Sequence, residues 1–151
     1  MVGVEEQIRA ARQSAALSQN DLAARSGVHQ PNIAPYENGS RRPSATMVAR
    51  LLAAARPRPS VRLRELHGEV LAIASRHRAR NVRVFGSVAR DEDTPNSDLD
   101  LLVTFDDDAS LLDQARLIDE LEKVLGHRVD VVSDQALGRR RPAISRDAVA
   151  L

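Results

Sequence analysis

The sequence contains no cysteine, which excludes a disulfide framework, a thiolate metal site and a cysteine nucleophile. It also lacks the marks of a secreted or membrane protein. The start of the chain carries Glu5 and Glu6 where a secretory signal needs positive charge, and no apolar run approaches the roughly 20 residues of a membrane span. We therefore expect a cytoplasmic protein without membrane segments.

Lysine is almost absent too, since Lys123 is the only one among 22 basic residues. The arginines are unevenly distributed. Residues 1–60 contain eight arginines and four acidic residues, a net charge of +4, whereas residues 61–151 have a net charge of −3. The first half therefore suits a polyanion, and the second half suits cations.

A chain of 151 residues can form one ordinary domain or two minimal ones. Pro57 and Pro59 each disfavour helix at the residue before them, and neither has a backbone N–H. They predict an extended linker over 56–62. We accordingly expect two domains, over residues 1–55 and 63–151.

Apolar spacing and capping signals predict four short helices in the first domain. Their expected ranges are 4–16, 18–25, 29–38 and 44–55. The signals are Ser18 and Ser44 as N-caps and Gly27 and Gly39 as left-handed ends. The second and third helices are joined through Ser26-Gly27-Val28, the spacing of a helix-turn-helix. Within the third, or recognition, helix, Pro35 predicts a kink that costs about 3 kcal/mol in an unadapted context.

Several motifs of this region occur together in the sequence. They are the segment from Leu17 to Val28, the run Tyr36-Glu37-Asn38-Gly39 and the run Arg41-Arg42-Pro43-Ser44. With these residues the region resembles the Cro/repressor-like (Xre-type) helix-turn-helix family. The resemblance implies a domain that binds operator DNA.

The same resemblance implies roles for individual residues. Gln30 and Asn32 would reach base edges in the major groove, and Gln19 would contact a backbone phosphate. Arg41 and Arg42 would add contacts to the DNA. Because glutamine and asparagine can pair bidentately with adenine, the chemistry of base recognition is present. The alternative is that the helices form only a small bundle that docks another protein.

The second domain is predicted to mix helices and strands. The expected order is an amphipathic helix carrying Leu63 to Ala74, a strand over 82–85, a strand over 98–105, a helix near 110–125 and a strand over 128–132. On the second strand, Leu99 and every second residue after it face one side, so Asp98 and Asp100 share the other side. A third carboxylate, Asp130, lies between apolar neighbours on the last strand.

Unpaired charges inside apolar runs are costly, so three such carboxylates suggest a bound cation. Carboxylate oxygens suit Mg²⁺, which completes its shell with water and substrate phosphates. Near them, Gly86 would let a phosphate approach the backbone, Ser87 offers a hydroxyl donor and Arg90 adds a positive charge. The sequence therefore predicts a nucleotide site.

Gly86-Ser87, ten further residues and then Asp98-x-Asp100 form a pattern that resembles the minimal nucleotidyltransferase (MNT) family. The resemblance spans nearly all of residues 66–151. It implies an α/β domain with a small mixed sheet behind the all-α helix-turn-helix bundle, so that the two-domain chain is of the α+β class. It also implies ATP as the substrate, held by Gly86 and Ser87, and two Mg²⁺ ions held by Asp98, Asp100 and Asp130.

One position departs from the family pattern, because Asp91 stands where glycine usually follows the arginine. We expect Asp91-Glu92-Asp93 to be a solvated loop. For the basic segment Arg139-Arg140-Arg141-Pro142 near the end of the chain, the sequence leaves open a contact with the partner, with the triphosphate or with neither, and a solvated tail is the most frequent case.

The MNT resemblance further implies a biological setting. Such proteins commonly act as antitoxins that transfer AMP to a side chain of a HEPN ribonuclease toxin or bind the toxin. The DNA-binding half would then repress the shared operon, as a homodimer if it reads two half-sites. Two other hypotheses are a non-catalytic transcriptional regulator that binds nucleotide or a partner protein, and a small-molecule nucleotidyltransferase. Only 21 residues follow Asp130, which favours a macromolecular acceptor.

Overall fold

Residues 1–137 and 142–151 are described by a computed structural model, in which the chain divides into the units Met1–Pro57 and Arg58–Leu151. The basic run at Arg139 lies outside the described residues. Among the helices that these residues form, none has the length and apolar character needed to cross a membrane.

The first unit consists of short helices around a small apolar core. They are α1 (Val4–Ser14), α2 (Gln19–Ser26), a 3₁₀ turn (Gln30–Asn32), α3 (Ile33–Asn38) and α4 (Ala45–Ala54). The predicted caps are confirmed. Ser18 and Ser44 each accept a backbone N–H of the first turn, and Gly27 and Gly39 end their helices with φ of 66° and 77°.

The prediction of one recognition helix over 29–38 is wrong, because the segment is a 3₁₀ turn followed by a separate α-helix. Pro35 explains the division. In a continuous α-helix it could not donate to the carbonyl of Pro31, and its ring would clash with that carbonyl. Since α3 begins at Ile33, Pro35 falls in a first turn, where backbone N–H groups have no partner within the helix. The start of α3 thereby avoids the expected kink.

A buried ion pair joins the helices of this unit. Arg12 on α1 donates to both carboxylate oxygens of Glu37 on α3, at 2.6 and 2.9 Å, and the two side chains are only 14% and 4% exposed. Gln19 on α2 donates to the same carboxylate at 3.0 Å. Burial alone would raise the pKa of Glu37, but the hydrogen bonds from Arg12 and Gln19 and the charge of Arg12 lower it. One carboxylate thus connects three helices.

Removing this carboxylate should destabilise the first unit. We expect Glu37→Ala to lower its free energy of unfolding by about 3 kcal/mol, because the buried charge of Arg12 is left unpaired. Urea denaturation followed by circular dichroism measures the change.

The exposed pair between Glu6 and Arg9 provides the control. Its N···O distance is 3.5 Å and its side chains are 56% and 40% exposed, so Glu6→Ala should cost less than about 1 kcal/mol. Equal losses in the two variants would contradict a structural role for the buried pair.

The second unit is a four-stranded sheet with helices. Its elements are α5 (Pro59–Glu65), α6 (His67–Arg76), β1 (Ala79–Phe85), α7 (Gly86–Ala89), β2 (Leu99–Phe105), α8 (Leu111–Leu125), β3 (Val129–Ser133), α9 (Asp134–Leu137), α10 (Pro142–Asp147) and β4 (Val149–Ala150). The strand order is β3-β2-β1-β4, with β2 and β3 parallel and the other neighbours antiparallel. The predicted α+β chain with a small mixed sheet is confirmed.

Two local features differ from expectation at the start of this unit. Helix α5 begins at Pro59, inside the segment predicted as an extended linker, because proline is well tolerated at the first position of a helix. The single amphipathic helix expected around Leu63 to Ala74 is divided at Leu66, whose φ is −108°. Gly68, a poor helix former, weakens the helical preference just after this point.

Strand β1 begins at Ala79, earlier than the predicted residue 82. Its pairing with β2 shifts register between Arg80 and Arg83, and Asn81 there has a φ of 52°. This bulge interrupts the alternation of side chains, so the sequence pattern reveals only the part of the strand that follows it.

The core lies between one face of the sheet and helices α6 and α8. The alternating residues Leu99, Leu101, Val103 and Phe105 supply that face, as predicted. On the opposite face, Leu102 is also fully buried, and α9 contacts β2 and β3 there. The aspartate Asp100 shares this second face, towards the start of β2.

Candidate active site and DNA-contacting surface

The register of the sheet brings the predicted site residues to one end of three strands. Asp100 on β2 is paired with Phe85, the last residue of β1, and with Asp130 on β3. Because neighbouring strands lie about 4.8 Å apart, the turn after β1 and the two aspartates are neighbours. Asp98 comes directly before β2 at the same end.

Gly86 makes close contact with Asp100. A Cβ built on Gly86 would lie 2.3 Å from Oδ2 of Asp100, and the residue has a φ of 72°. Both the space and the left-handed backbone require glycine. The sequence analysis explained Gly86 by the approach of a phosphate to its backbone. The structure adds a second reason, which is room for the carboxylate of Asp100.

Asp100 is the most enclosed of the three site carboxylates, since it is half-buried whereas Asp98 and Asp130 are exposed. Its pKa is raised, first by burial and then by the negative charges of Asp130 and Asp98, while the positive charge of Arg90 lowers it in part. Asp98 and Asp130 are thus both close enough to Asp100 to repel its charge.

Such a set fits a divalent cation in its chemistry, because the donors are carboxylate oxygens and a positive charge would offset their repulsion. The fit is incomplete in its spacing. Within residues 1–137 and 142–151, no three carboxylate or imidazole groups have the arrangement of a formed metal site. The structure therefore supports Asp98, Asp100 and Asp130 as neighbours, and their role as metal ligands stays a prediction.

Asp98 and Asp130 both line a cleft of about 170 Å³. Its lining includes two residues that the sequence reasoning missed, Glu122 near the end of α8 and Arg128 just before β3. Glu122 accepts the backbone N–H of Val129 at 3.0 Å and so holds the helix end against the strand. Arg128 stands next to the strand that carries Asp130, and this position in the sequence could have indicated that it lies at the same site.

The other predicted nucleotide residues lie in the turn after β1. Ser87 is half-buried in α7, and its backbone carbonyl accepts the N–H of Glu92 at 2.9 Å. Arg90 is exposed and donates to the carboxylate of Glu92 at 2.9 Å. A phosphate would compete with Glu92 for this guanidinium, so the nucleotide role of Arg90 stays a prediction.

The loop Asp91-Glu92-Asp93 is only partly solvated. Asp91 is exposed, and its φ of 60° explains why glycine suits this position and why aspartate is tolerated. The expectation is wrong for Asp93, which is 4% exposed and accepts the backbone N–H of Ser60 at 2.9 Å. Its burial follows from helix α5, whose first turn needs a hydrogen-bond acceptor.

The predicted DNA-contacting residues lie on the first unit. Gln30 and Arg42 are exposed. The side-chain amide oxygen of Asn32 accepts a hydrogen bond from Arg41 at 2.6 Å. Pairing of Asn32 with adenine would therefore have to share or displace this contact. Gln19 uses its amide to bind Glu37, which restricts the phosphate contact predicted for it.

A model of the nucleotidyltransferase domain family matches residues 66–149, which is more than half of the chain. The chain belongs to the nucleotidyltransferase domain family. A helix-turn-helix family model matches residues 8–55. Both resemblances inferred from the sequence motifs are confirmed.

Several proteins are similar to this nucleotidyltransferase. A Methanocaldococcus jannaschii protein provisionally named a protein adenylyltransferase is 42% identical over 71 residues, which are 47% of this chain and 76% of that protein. The protein adenylyltransferase MntA of Thermococcus cleftensis is 42% identical over 65 residues, which are 43% of this chain and 66% of that protein. A solved structure described as a minimal nucleotidyltransferase is 51% identical, with a TM-score of 0.55, and the match covers 59% of this chain and 92% of the other.

The contact between Gly86 and Asp100 can be tested against a glycine of similar backbone. We expect Gly86→Ala to destabilise the nucleotidyltransferase domain more than Gly126→Ala does. Both residues have left-handed φ, 72° and 71°, but a Cβ at Gly126 would meet no atom of the described residues within 4 Å. Gly126→Ala should therefore cost about 1 kcal/mol through backbone strain alone, and Gly86→Ala should cost more.

Thermal denaturation of the two variants gives the comparison. If they lose the same stability, Asp100 has moved aside without cost, and the close contact does not constrain the site.

Proposed function

We propose that this chain is a Mg²⁺-dependent nucleotidyltransferase that transfers AMP from ATP to a side chain of a partner protein. The observation that carries the proposal is the placement of Asp100 against Gly86 and beside Asp130 at one end of the sheet. Burial raises the pKa of Asp100 most, the carboxylates of Asp130 and Asp98 raise it further, and the charge of Arg90 offsets this only in part.

In the proposed reaction, Gly86 and Ser87 hold the triphosphate, with Arg90 as an added cation. Asp98 and Asp100, together with Asp130, would hold Mg²⁺, two ions by the family resemblance, and this cation would supply charge stabilisation at the phosphates. Asp130 orients the acceptor hydroxyl and accepts its proton.

The bond changes balance in a single in-line displacement. The acceptor oxygen forms a bond to the α-phosphorus of ATP while the bond from that phosphorus to the bridging oxygen breaks. Pyrophosphate leaves, and the proton of the acceptor hydroxyl passes to the carboxylate of Asp130.

A protein acceptor is supported by two observations. The cleft beside Asp130 is about 170 Å³, which is smaller than the roughly 300 to 1,000 Å³ of typical small-molecule sites. The similar proteins from Methanocaldococcus jannaschii and Thermococcus cleftensis are named for adenylyl transfer to protein. Both favour a macromolecule over a drug or sugar as the acceptor.

We further propose an antitoxin role, in which the acceptor is a HEPN-type toxin and the helix-turn-helix domain binds the operator of the shared genes. The family resemblance supports the partner, and the basic, arginine-rich first half of the chain supports the operator. The DNA contacts proposed are those of Gln19, Gln30, Asn32, Arg41 and Arg42. A homodimer would present two such domains to paired half-sites.

The transfer reaction is tested by replacing one carboxylate with its isosteric amide. We expect Asp100→Asn to lower label transfer from α-labelled ATP to the product of the adjacent gene by more than about 100-fold, because several kcal/mol of charge stabilisation are lost. Asp106→Asn makes the same chemical change at an exposed residue just beyond the far end of β2, and this variant should transfer normally.

Full transfer by a folded Asp100→Asn variant would remove Asp100 from the chemistry. If the wild-type chain transfers no label and yet binds operator DNA, the non-catalytic regulator becomes the better description.

Operator binding is tested through its salt dependence. We expect the double variant Arg41→Ala, Arg42→Ala to bind more weakly and to lower the slope of log affinity against log salt by roughly two, about one unit for each phosphate contact.

The control is Arg64→Ala, Arg146→Ala, which removes two exposed arginines of the second unit. Fluorescence anisotropy with labelled promoter DNA measures both slopes. Unchanged affinity in the Arg41 and Arg42 variant would exclude this surface as the DNA contact.

A further inference from the structure

The segment from Arg90 to Ser97 connects two parts of the proposed site, the Gly86-Ser87 turn and Asp98. Its ends are shaped by local hydrogen bonds. The N–H of Glu92 donates to the carbonyl of Ser87 at 2.9 Å, and Thr94 and Ser97 bond each other at the far end. These bonds give the segment its form and join its start to the Gly86-Ser87 turn.

Asp93, in the middle of this segment, makes a contact 33 residues away in the sequence. Its Oδ2 accepts the N–H of Ser60 in the first turn of α5, at 2.9 Å. Arg58, the N-cap residue of α5, makes no side-chain capping bond, so the carboxylate of Asp93 takes that place. A negative charge at a helix N-terminus is also favourable.

Asp93 is held inside the domain even though its carboxylate thereby loses contact with water. The residue is 4% exposed, and its Oδ1 is buried with no hydrogen-bond partner among the residues that the structure describes. A half-satisfied buried carboxylate is costly, and an aspartate in a free loop would turn to water. The segment is therefore held with Asp93 inward by the packing of the domain.

We infer that Asp93 is a positioning residue of the transferase site. By capping α5 it fixes the segment that leads into Asp98, and so it fixes Asp98 relative to the Gly86-Ser87 turn. A displacement of about 1 Å in a catalytic array can cost about 100-fold in rate, so a clamp of this kind acts on the chemistry without touching substrate. The inference rests on the proposed transfer reaction for its kinetic consequence, but not for the clamp itself.

The test compares three variants of neighbouring acids. Asp93→Ala removes the acceptor, Asp93→Asn keeps an acceptor oxygen for Ser60, and Asp91→Asn makes the same amide change at an exposed residue of the same segment. Asparagine tolerates the left-handed backbone of Asp91, so this control adds no strain.

Two readouts are needed. Hydrogen exchange measured without nucleotide should show the Ser60 amide exchanging at least about tenfold faster in Asp93→Ala, since exchange reports local opening. Steady-state transfer, measured well below the melting temperature, should show kcat reduced at least about tenfold with KM for ATP within about twofold, because the Gly86-Ser87 turn keeps its own bonds. Asp93→Asn should recover most of kcat, and Asp91→Asn should behave as wild type.

Three results would overturn the inference. They are unchanged exchange at Ser60 in Asp93→Ala, a lower melting temperature with wild-type kcat, and an equal loss of kcat in Asp91→Asn. If the wild-type chain transfers nothing, the proposed function has failed, and the clamp is judged by hydrogen exchange alone.

Discussion

Strand β2 is held between an antiparallel and a parallel neighbour, and its register with both decides where Asp100 lies. A shift of one residue would turn Asp100 into the apolar core and Leu101 out of it, so the buried face of β2 fixes the register strongly. The same register sets Asp100 against Gly86 and beside Asp130. The apolar packing of the sheet therefore supplies the force that keeps like charges together, and this force is independent of any ligand.

The enclosed carboxylates Glu37 and Asp100 have opposite surroundings. In the first unit, Glu37 is more buried than any site carboxylate, and Arg12 and Gln19 satisfy it so well that its pKa falls. In the second unit, Asp100 is half-buried, and its pKa rises first through burial and then through the negative charges of Asp130 and Asp98. A paired charge serves the architecture, whereas an uncompensated one keeps electrostatic energy available for a ligand. This contrast is the electrostatic ground for proposing that Asp100, unlike Glu37, serves a ligand.

The residues of the candidate site can be recognised from the sequence, whereas the contacts that hold them in place cannot. Alternation along β2 and the spacing from Gly86 to Asp100 are local patterns, so they could be found without coordinates. The burial of Asp93 could not be predicted from a local pattern, because it depends on a helix start 33 residues earlier in the chain. The kink expected at Pro35 is absent because α3 begins at Ile33, and the sequence alone does not say whether a helix will bend at a proline or begin just before it. In β1 the bulge at Asn81 hid the first part of the strand.

The bond between Asp93 and Ser60 also limits how such a two-part chain can arise by recombination. The nucleotidyltransferase family match begins at residue 66, so a gene fusion at that point would keep every matched residue. It would nevertheless lose α5, and with it the partner of a buried carboxylate. A fusion behind any other N-terminal module would have to join upstream of Pro59, which leaves only the few residues after Ala54, the last residue of α4, as a junction. A junction within this stretch would exchange the helix-turn-helix unit and keep the hydrogen bond between Asp93 and Ser60.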